Sequence, residues 1–258
     1  MLKESMKSYK VCVIGDFHDS PKMSKDRIVW IAKHIKKTKP DYIIQIGDFS
    51  SIDSCCWHIK NDTMAARRNK GTLLEDLESL ETVLELFNKT LGKSDIPKHV
   101  TLGNHENRLW KWEEANPEYY NMGKKQLLDL FTKYGWTYSS YGKFHFIGGV
   151  GFIHCPLNIM GKEFGGVGAE RNIGLNSLFD VVYGHSHKSN DIRVPKIGTN
   201  NYTRVINVGC SMPDGHIEDY AKLGVTGWWW GLVDVQIYEN HIQEVKTTTM
   251  KNLGQLYG

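Results

Sequence analysis

The chain has no Cys-x-x-Cys pair, and its five cysteines, Cys12, Cys55, Cys56, Cys155 and Cys210, are odd in number. That argues against a disulfide framework and against a thiolate zinc cluster. No apolar run approaches the roughly 20 residues that a membrane helix needs. The opening Met1-Leu2-Lys3-Glu4-Ser5-Met6-Lys7 has no apolar core of a signal peptide. No membrane partner is therefore expected, and a reducing, cytoplasmic compartment is. Internal repeats, low-complexity tracts and linkers are missing too, so residues 1–258 read as one domain. A strong basic stripe is also lacking: 32 Lys and Arg face 29 Asp and Glu, a net charge of +3. Dedicated nucleic-acid binders usually carry more, so nucleic acid stays open as a substrate or partner without being required. Nothing fixes an oligomeric state.

What the chain does have is the composition of a soluble globular protein, 40% hydrophobic and 24% charged. Five of its apolar runs end in the same way. Val11–Gly15 runs into Asp16-Phe17-His18, and Tyr42–Gly47 into Asp48. Val100–Gly103 runs into Asn104-His105, Gly151–Ile153 into His154, and Val181–Gly184 into His185-Ser186-His187. Short apolar runs of this kind read as buried strands. In open α/β sheets ligands bind beyond the carboxyl ends of the strands. Five strands ending in Asp, Asn and His thus describe one site, with Asp48 near its middle.

The first half alternates helix and strand. The spacing of Ile28, Ile31, Ala32 and Ile35 predicts a helix over Lys25–Lys37, with Ser24 as its cap. Leu73, Leu77, Leu80, Leu84 and Phe87 predict another over Thr72–Leu91, ended by Gly92. A helix over Glu106–Tyr120, broken at Asn116-Pro117, and one over Lys124–Tyr134 follow. Short strands are expected at Trp136–Tyr141, Lys143–Ile147, Val150–His154, Asp180–Gly184, Arg204–Gly209, Trp228–Tyr238 and His241–Thr248, the last two joined at Glu239-Asn240. Gly161–Gly174 reads as a loop running into a short helix, and the last ten residues as loosely held. Segments 50–70, 106–140 and 156–176 are expected to wall the site.

Asp16, His18, Asp48, Asn104, His154, His185 and His187 form a nitrogen and oxygen donor set without sulfur, suited to Mn, Fe, Zn or Ni. They are too many for one tetrahedral ion, which makes a pair of divalent ions the economical reading. Such a pair clamps an in-line displacement at phosphorus and acidifies a bound water.

The ordered motifs GDFH, GD, GNHE, the lone His of FIHC and GHSH resemble the calcineurin-like metallophosphoesterase superfamily, over residues 15–187. The size and the GNHENRL form are similar to small phage-encoded members. The resemblance implies a four-layer α/β/β/α sandwich of two mixed sheets and a dinuclear centre, with manganese favoured. It assigns Asp16, His18 and His187 to one ion and Asn104, His154 and His185 to the other, with Asp48 bridging. His105 would act on the leaving oxygen or on the phosphoryl charge without binding metal, and Arg108 lies near enough to reach a phosphate oxygen. The implied activity is hydrolysis of a phosphate ester by a metal-bound hydroxide. Monoester and diester substrates, and a DNA or RNA nuclease, stay open, as does a non-catalytic metal-binding scaffold. The chain departs from the pattern after His18, where Asp19 stands in place of the usual Gly. It departs again after Asp48, where Phe49–Asp53 lacks the Arg of GDxxDRG, which disfavours a Ser/Thr protein phosphatase.

Other features have plainer readings. Trp228-Trp229-Trp230 suits core packing better than base stacking. Arg67-Arg68-Asn69-Lys70 suits a solvated loop better than a phosphate grip. His34, His58, His99, His145, His216 and His241 read as ordinary histidines.

Overall fold

The structure, a computed structural model, describes residues 7–56, 70–198, 201–218, 221 and 227–258. Eleven strands form two mixed sheets among these residues. The first sheet contains β1 (Tyr9–Ile14), β2 (Tyr42–Gln45), β3 (Lys98–Thr101), β4 (Trp136–Ser139), β10 (Gly231–Tyr238) and β11 (His241–Thr249). Their spatial order is β11-β10-β1-β2-β3-β4. The β1-β2-β3-β4 half is parallel, as strand-helix-strand connections require, and β10 and β11 close it as an antiparallel hairpin. The second sheet orders β5 (His145–Ile147), β6 (Val150–Ile153), β7 (Val181–Tyr183), β9 (Tyr202–Val208) and β8 (Ser189–Pro195).

The alternation of side chains along the strands decides the layering. Val11, Val13, Ile44 and Ile46 of the first sheet meet Phe152, Val182, Ile206 and Val208 of the second in a buried inter-sheet core. The opposite side chains, Cys12, Ile14, Ile43 and Val100, pack under the helices α1 (Asp26–Thr38), α2 (Leu73–Leu91) and α4 (Gly123–Lys133). On the far side, Val181, Tyr183 and Val205 take Ile173 of α5 (Ala169–Asn176). The result is the four-layer α/β/β/α order that the motifs implied.

Local signals account for most element ends. The Thr72 side chain accepts from the Glu75 backbone N–H, and the Glu75 carboxylate accepts from the Thr72 N–H, a reciprocal cap on α2. Ser24 does not cap α1. It lies one residue before the N-cap, Lys25, and its hydroxyl donates to the Asp26 carboxylate at 2.8 Å while accepting from the Asp26 N–H at 3.2 Å. The helix expected from Glu106 begins two residues earlier, as α3 (Asn104–Ala115). The strand expected from Trp228 begins only at Gly231, and Trp228 and Trp230 make isolated bridges.

One further expectation is corrected, and one strand was not expected. The C-terminal residues are not loosely held: Met250–Tyr257 form α6, capped by the Thr249 hydroxyl. Met250 and Leu253 are buried in the helical core, and Lys33 Nζ donates to the Tyr257 carbonyl at 2.6 Å. Ser189–Pro195, unassigned in the sequence, is the edge strand β8. Its partner Arg204 on β9 forms a bidentate pair with Asp191, at 2.8 and 2.6 Å. The cysteines are all free and buried. No helix among the described residues is long and apolar enough to cross a membrane.

Candidate metal centre

The carboxyl ends of β1, β2, β3, β6 and β7 lie side by side, and each releases its polar residue into the same space. Close approach forces the backbone into unusual turns there. His18, Asp48, His185 and His187 all have positive φ, between 45° and 69°. Non-glycine residues rarely adopt that region, and strain of this kind collects at functional sites. The glycines before the polar residues also have a steric reason. A Cβ on Gly103 would collide with the Asp48 carboxylate, and one on Gly184 with that of Asp16. The repeated Gly-polar pattern therefore lets neighbouring strand ends converge.

The seven expected ligands come together in two groups. In the first, His187 Nε2 lies 3.2 Å from Asp16 Oδ2 and 3.0 Å from His18 Nε2. In the second, Asn104 Oδ1 lies 2.9 Å from both His154 Nε2 and His185 Nδ1. Asp48 Oδ2 stands between them, 3.7 Å from His18 Nε2 and 3.3 Å from His154 Nε2. Ligand atoms bound at about 2.1 Å to one ion sit roughly 3.0–3.4 Å apart. The donor atoms of each group are thus close enough together to hold a divalent ion among them. Asp16, His18, Asp48 and His154 are almost wholly buried.

The protonation chemistry fits cations. Burial would lower the pKa of His154, but the charges of Asp48 and Asp16 raise it to about 10. Burial would raise Asp48, yet His154, His105 and His18 hold it well below the usual carboxylate range. Burial, together with His105 and His187, keeps His18 neutral. The carboxylate charge is thus available, and a divalent ion would take the place of the proton on His154. Non-ligating nitrogens are turned away. His154 Nδ1 donates to the Ile46 carbonyl at 3.0 Å, which fixes the tautomer that points Nε2 inward. His18 Nδ1, also turned away, has no hydrogen-bond partner among the described residues.

His105 and Arg108 stand beside the two groups, on the first two turns of α3. The His105 backbone N–H donates to Asp48 Oδ1 at 2.8 Å, and its Nδ1 donates to the Ser51 carbonyl at 2.9 Å. Arg108 Nη2 donates to His105 Nε2 at 2.9 Å. Burial lowers the His105 pKa to about 4; Asp48 opposes and Arg108 reinforces this. The ring is neutral at pH 7.

Several residues that support the site were given no role there by the sequence. Glu106 is fully buried and accepts from the backbone N–H groups of Asp48, Ser50 and Gly103 at 3.1, 3.1 and 2.7 Å. It ties the β2 end to the β3 end. Its signal was legible, because Glu three residues after an N-cap is a capping-box position. Asp19, the departure noted above, is buried and pairs with Lys25 at 2.5 Å and Arg27 at 3.3 Å, and accepts from Ser79 at 2.7 Å. It pins the His18 loop to α1 and α2. Trp228 packs edge-on against the His187 ring, with centroids 4.3 Å apart. Trp229 packs on the inter-sheet core and Trp230 on the helical core. Arg67, Arg68 and Asn69 lie outside the described residues, as does His58.

A model of the calcineurin-like phosphoesterase family matches residues 9–189, well over half of the chain. The chain belongs to the calcineurin-like phosphoesterase family. The match takes in every residue of the two groups. No curated protein sequence matches. Among solved structures, the chain is similar to Vps29 of Entamoeba histolytica complexed with zinc, at 14% identity and a TM-score of 0.41, covering 93% of this chain and 97% of that one. It is likewise similar to TT1561 of Thermus thermophilus, at 9% identity and a TM-score of 0.44, covering 95% of this chain and all of that one.

Proposed function

We propose that this phosphoesterase hydrolyses a phosphate ester at a dinuclear centre. Asp16, His18 and His187 would hold one divalent ion and Asn104, His154 and His185 the other, with Asp48 shared between them. The observation that carries the reading is the position of Asp48 Oδ2, within reach of both His18 and His154. Two such ions supply charge neutralisation at the phosphoryl oxygens and a bound water acidic enough to attack near neutral pH.

The chain's own groups do the rest. Buried Asp48 and Asp16 set the negative charge of the pocket and hold it fixed during reaction. Arg108 neutralises the entering phosphate. That entry draws the guanidinium away from His105 Nε2 and favours a proton there. His105, anchored through Nδ1 to the Ser51 carbonyl, then delivers that proton to the leaving oxygen. A cavity of about 470 Å3 opens beside His185, lined by Glu163, Ser186, Lys188 and Asn190 among others. It is the size of a small-molecule site and receives the alcohol part of the ester.

The same centre serves monoesters and diesters, so the substrate is tested directly. The protein is incubated with manganese and a single-stranded DNA oligonucleotide bearing a 5′-phosphate, and the products are weighed by mass spectrometry. The compact cavity favours an intact strand that has lost only its terminal phosphate. Shortened strands would instead make the protein a nuclease. An unchanged strand, alongside hydrolysis of small phosphate esters, would remove nucleic acid as substrate.

A further inference from the structure

Each imidazole at the centre has one nitrogen facing the pocket and one facing away. The outward nitrogen of His154 meets a backbone carbonyl of the fold, Ile46. The outward nitrogen of His185 is different. Its Nε2 lies 3.2 Å from Glu163 Oε2, a carboxylate on the segment that follows β6.

That segment is built to present Glu163. Leaving β6 at His154, the chain folds back on itself. Asn158 N–H donates to the Lys162 carbonyl at 2.8 Å, Gly161 N–H to the Asn158 carbonyl at 2.8 Å, and Leu157 bridges Glu163. The Asn158 side chain closes the tip by accepting from the Met160 and Lys162 backbone N–H groups at 2.9 and 3.1 Å. The other Glu163 oxygen accepts from the hydroxyl of Tyr141, just beyond β4. Both carboxylate oxygens are thus engaged, one by a residue from the far end of the first sheet and one by a ligand on the second.

A carboxylate on the outward nitrogen of a ligating histidine fixes its tautomer and orientation and makes it a better donor. We infer that Glu163, held by Tyr141, is the positioning residue for His185, and that it sets the affinity of the ion held by Asn104, His154 and His185 and not that of its neighbour. This rests on the dinuclear reading above. It also assigns a task to residues 156–164, which resemble nothing catalytic in the sequence. They buttress one ion from outside its ligand set, so that the two ions differ in how readily they exchange.

The test is a manganese titration of metal-depleted full-length protein, followed by electron paramagnetic resonance and by competition with a chromophoric chelator. The wild type is expected to take two ions and to give the spin-coupled signal of a close pair. Glu163→Ala is expected to bind the first ion as the wild type does and the second about 10–100-fold more weakly. At one to two equivalents its spectrum then shows isolated ions. Glu163→Gln keeps an oxygen acceptor for His185 and should recover much of that loss, and Tyr141→Phe should fall between it and the wild type. Equal weakening of both ions in Glu163→Ala, with a lowered melting temperature, would mean a merely structural role and overturn the inference. So would two unchanged affinities. A wild type that binds fewer than two ions would overturn the dinuclear reading itself, and this inference with it.

Discussion

The backbone N–H of His105 holds Asp48 Oδ1 at 2.8 Å. Asp48 therefore cannot turn that oxygen into the pocket, and only Oδ2 faces the ligands on either side. The arrangement comes from helix geometry. His105 lies in the first turn of α3, where backbone N–H groups have no partner inside the helix and favour a negative charge. One contact thus couples the GNH turn to the GD turn and orients the residue that the proposed reading places between two ions.

The role given to His105 predicts a dependence on the leaving group. With p-nitrophenyl phosphate, whose leaving oxygen needs no proton, His105→Ala should lower kcat only modestly, by about tenfold. With a simple alkyl phosphate the loss should reach about 10²–10⁴-fold. Steady-state kinetics on the two esters check this, and equal losses on both would remove His105 as proton donor.

Glu106 is expected to matter for stability before it matters for chemistry. Its two oxygens accept three backbone N–H groups in a fully buried setting. Glu106→Gln turns one acceptor into a donor facing another donor, which costs about 1–3 kcal/mol. Urea unfolding should show that loss. Because the β2 end is released with it, metal affinity should fall as well.

His99 predicts an acid-sensitive fold away from the centre. It stacks on His145 with ring centroids 3.7 Å apart and bonds Thr137 and Ser139 hydroxyls at 2.8 and 3.2 Å. Burial, with His145 beside it, lowers its pKa from 6.5 to about 3. Between those values the unfolded chain binds a proton that the native state refuses. The contribution of His99 is therefore complete above pH 6.5 and is lost as pH falls toward 3. Urea midpoints of metal-loaded protein at pH 7 and pH 5 should drop less for His99→Gln than for the wild type.

The site was more legible than its surroundings. Each candidate ligand lies just beyond an apolar run that closes on a glycine or strand end, so a local pattern marked it. Strand position then brought the five ends together without any knowledge of side-chain packing. β8 escaped because its apolar signal is short: only Ile192 and the buried Val194, which lies against Gly174 of α5, alternate with Asp191 and Arg193, and pairing with β9 completes the strand. α6 escaped for a related reason. Eight residues do not make a stable helix alone, and this one is held by α1, where Trp30 lies against Gly254. Glu163 left no trace in the sequence, since its partners Tyr141 and His185 lie 22 residues away on either side and meet it only in the folded chain.

The most direct test of the central claim joins metal content to turnover in one sample. Metal-depleted protein is titrated with manganese while hydrolysis of p-nitrophenyl phosphate is followed, with Asp48→Asn in parallel. The account predicts no turnover without metal, full turnover at two equivalents, and about a hundredfold or greater loss in Asp48→Asn, a barrier rise of at least about 2.7 kcal/mol. Turnover that survives complete metal removal, or a normal rate in Asp48→Asn, would contradict it.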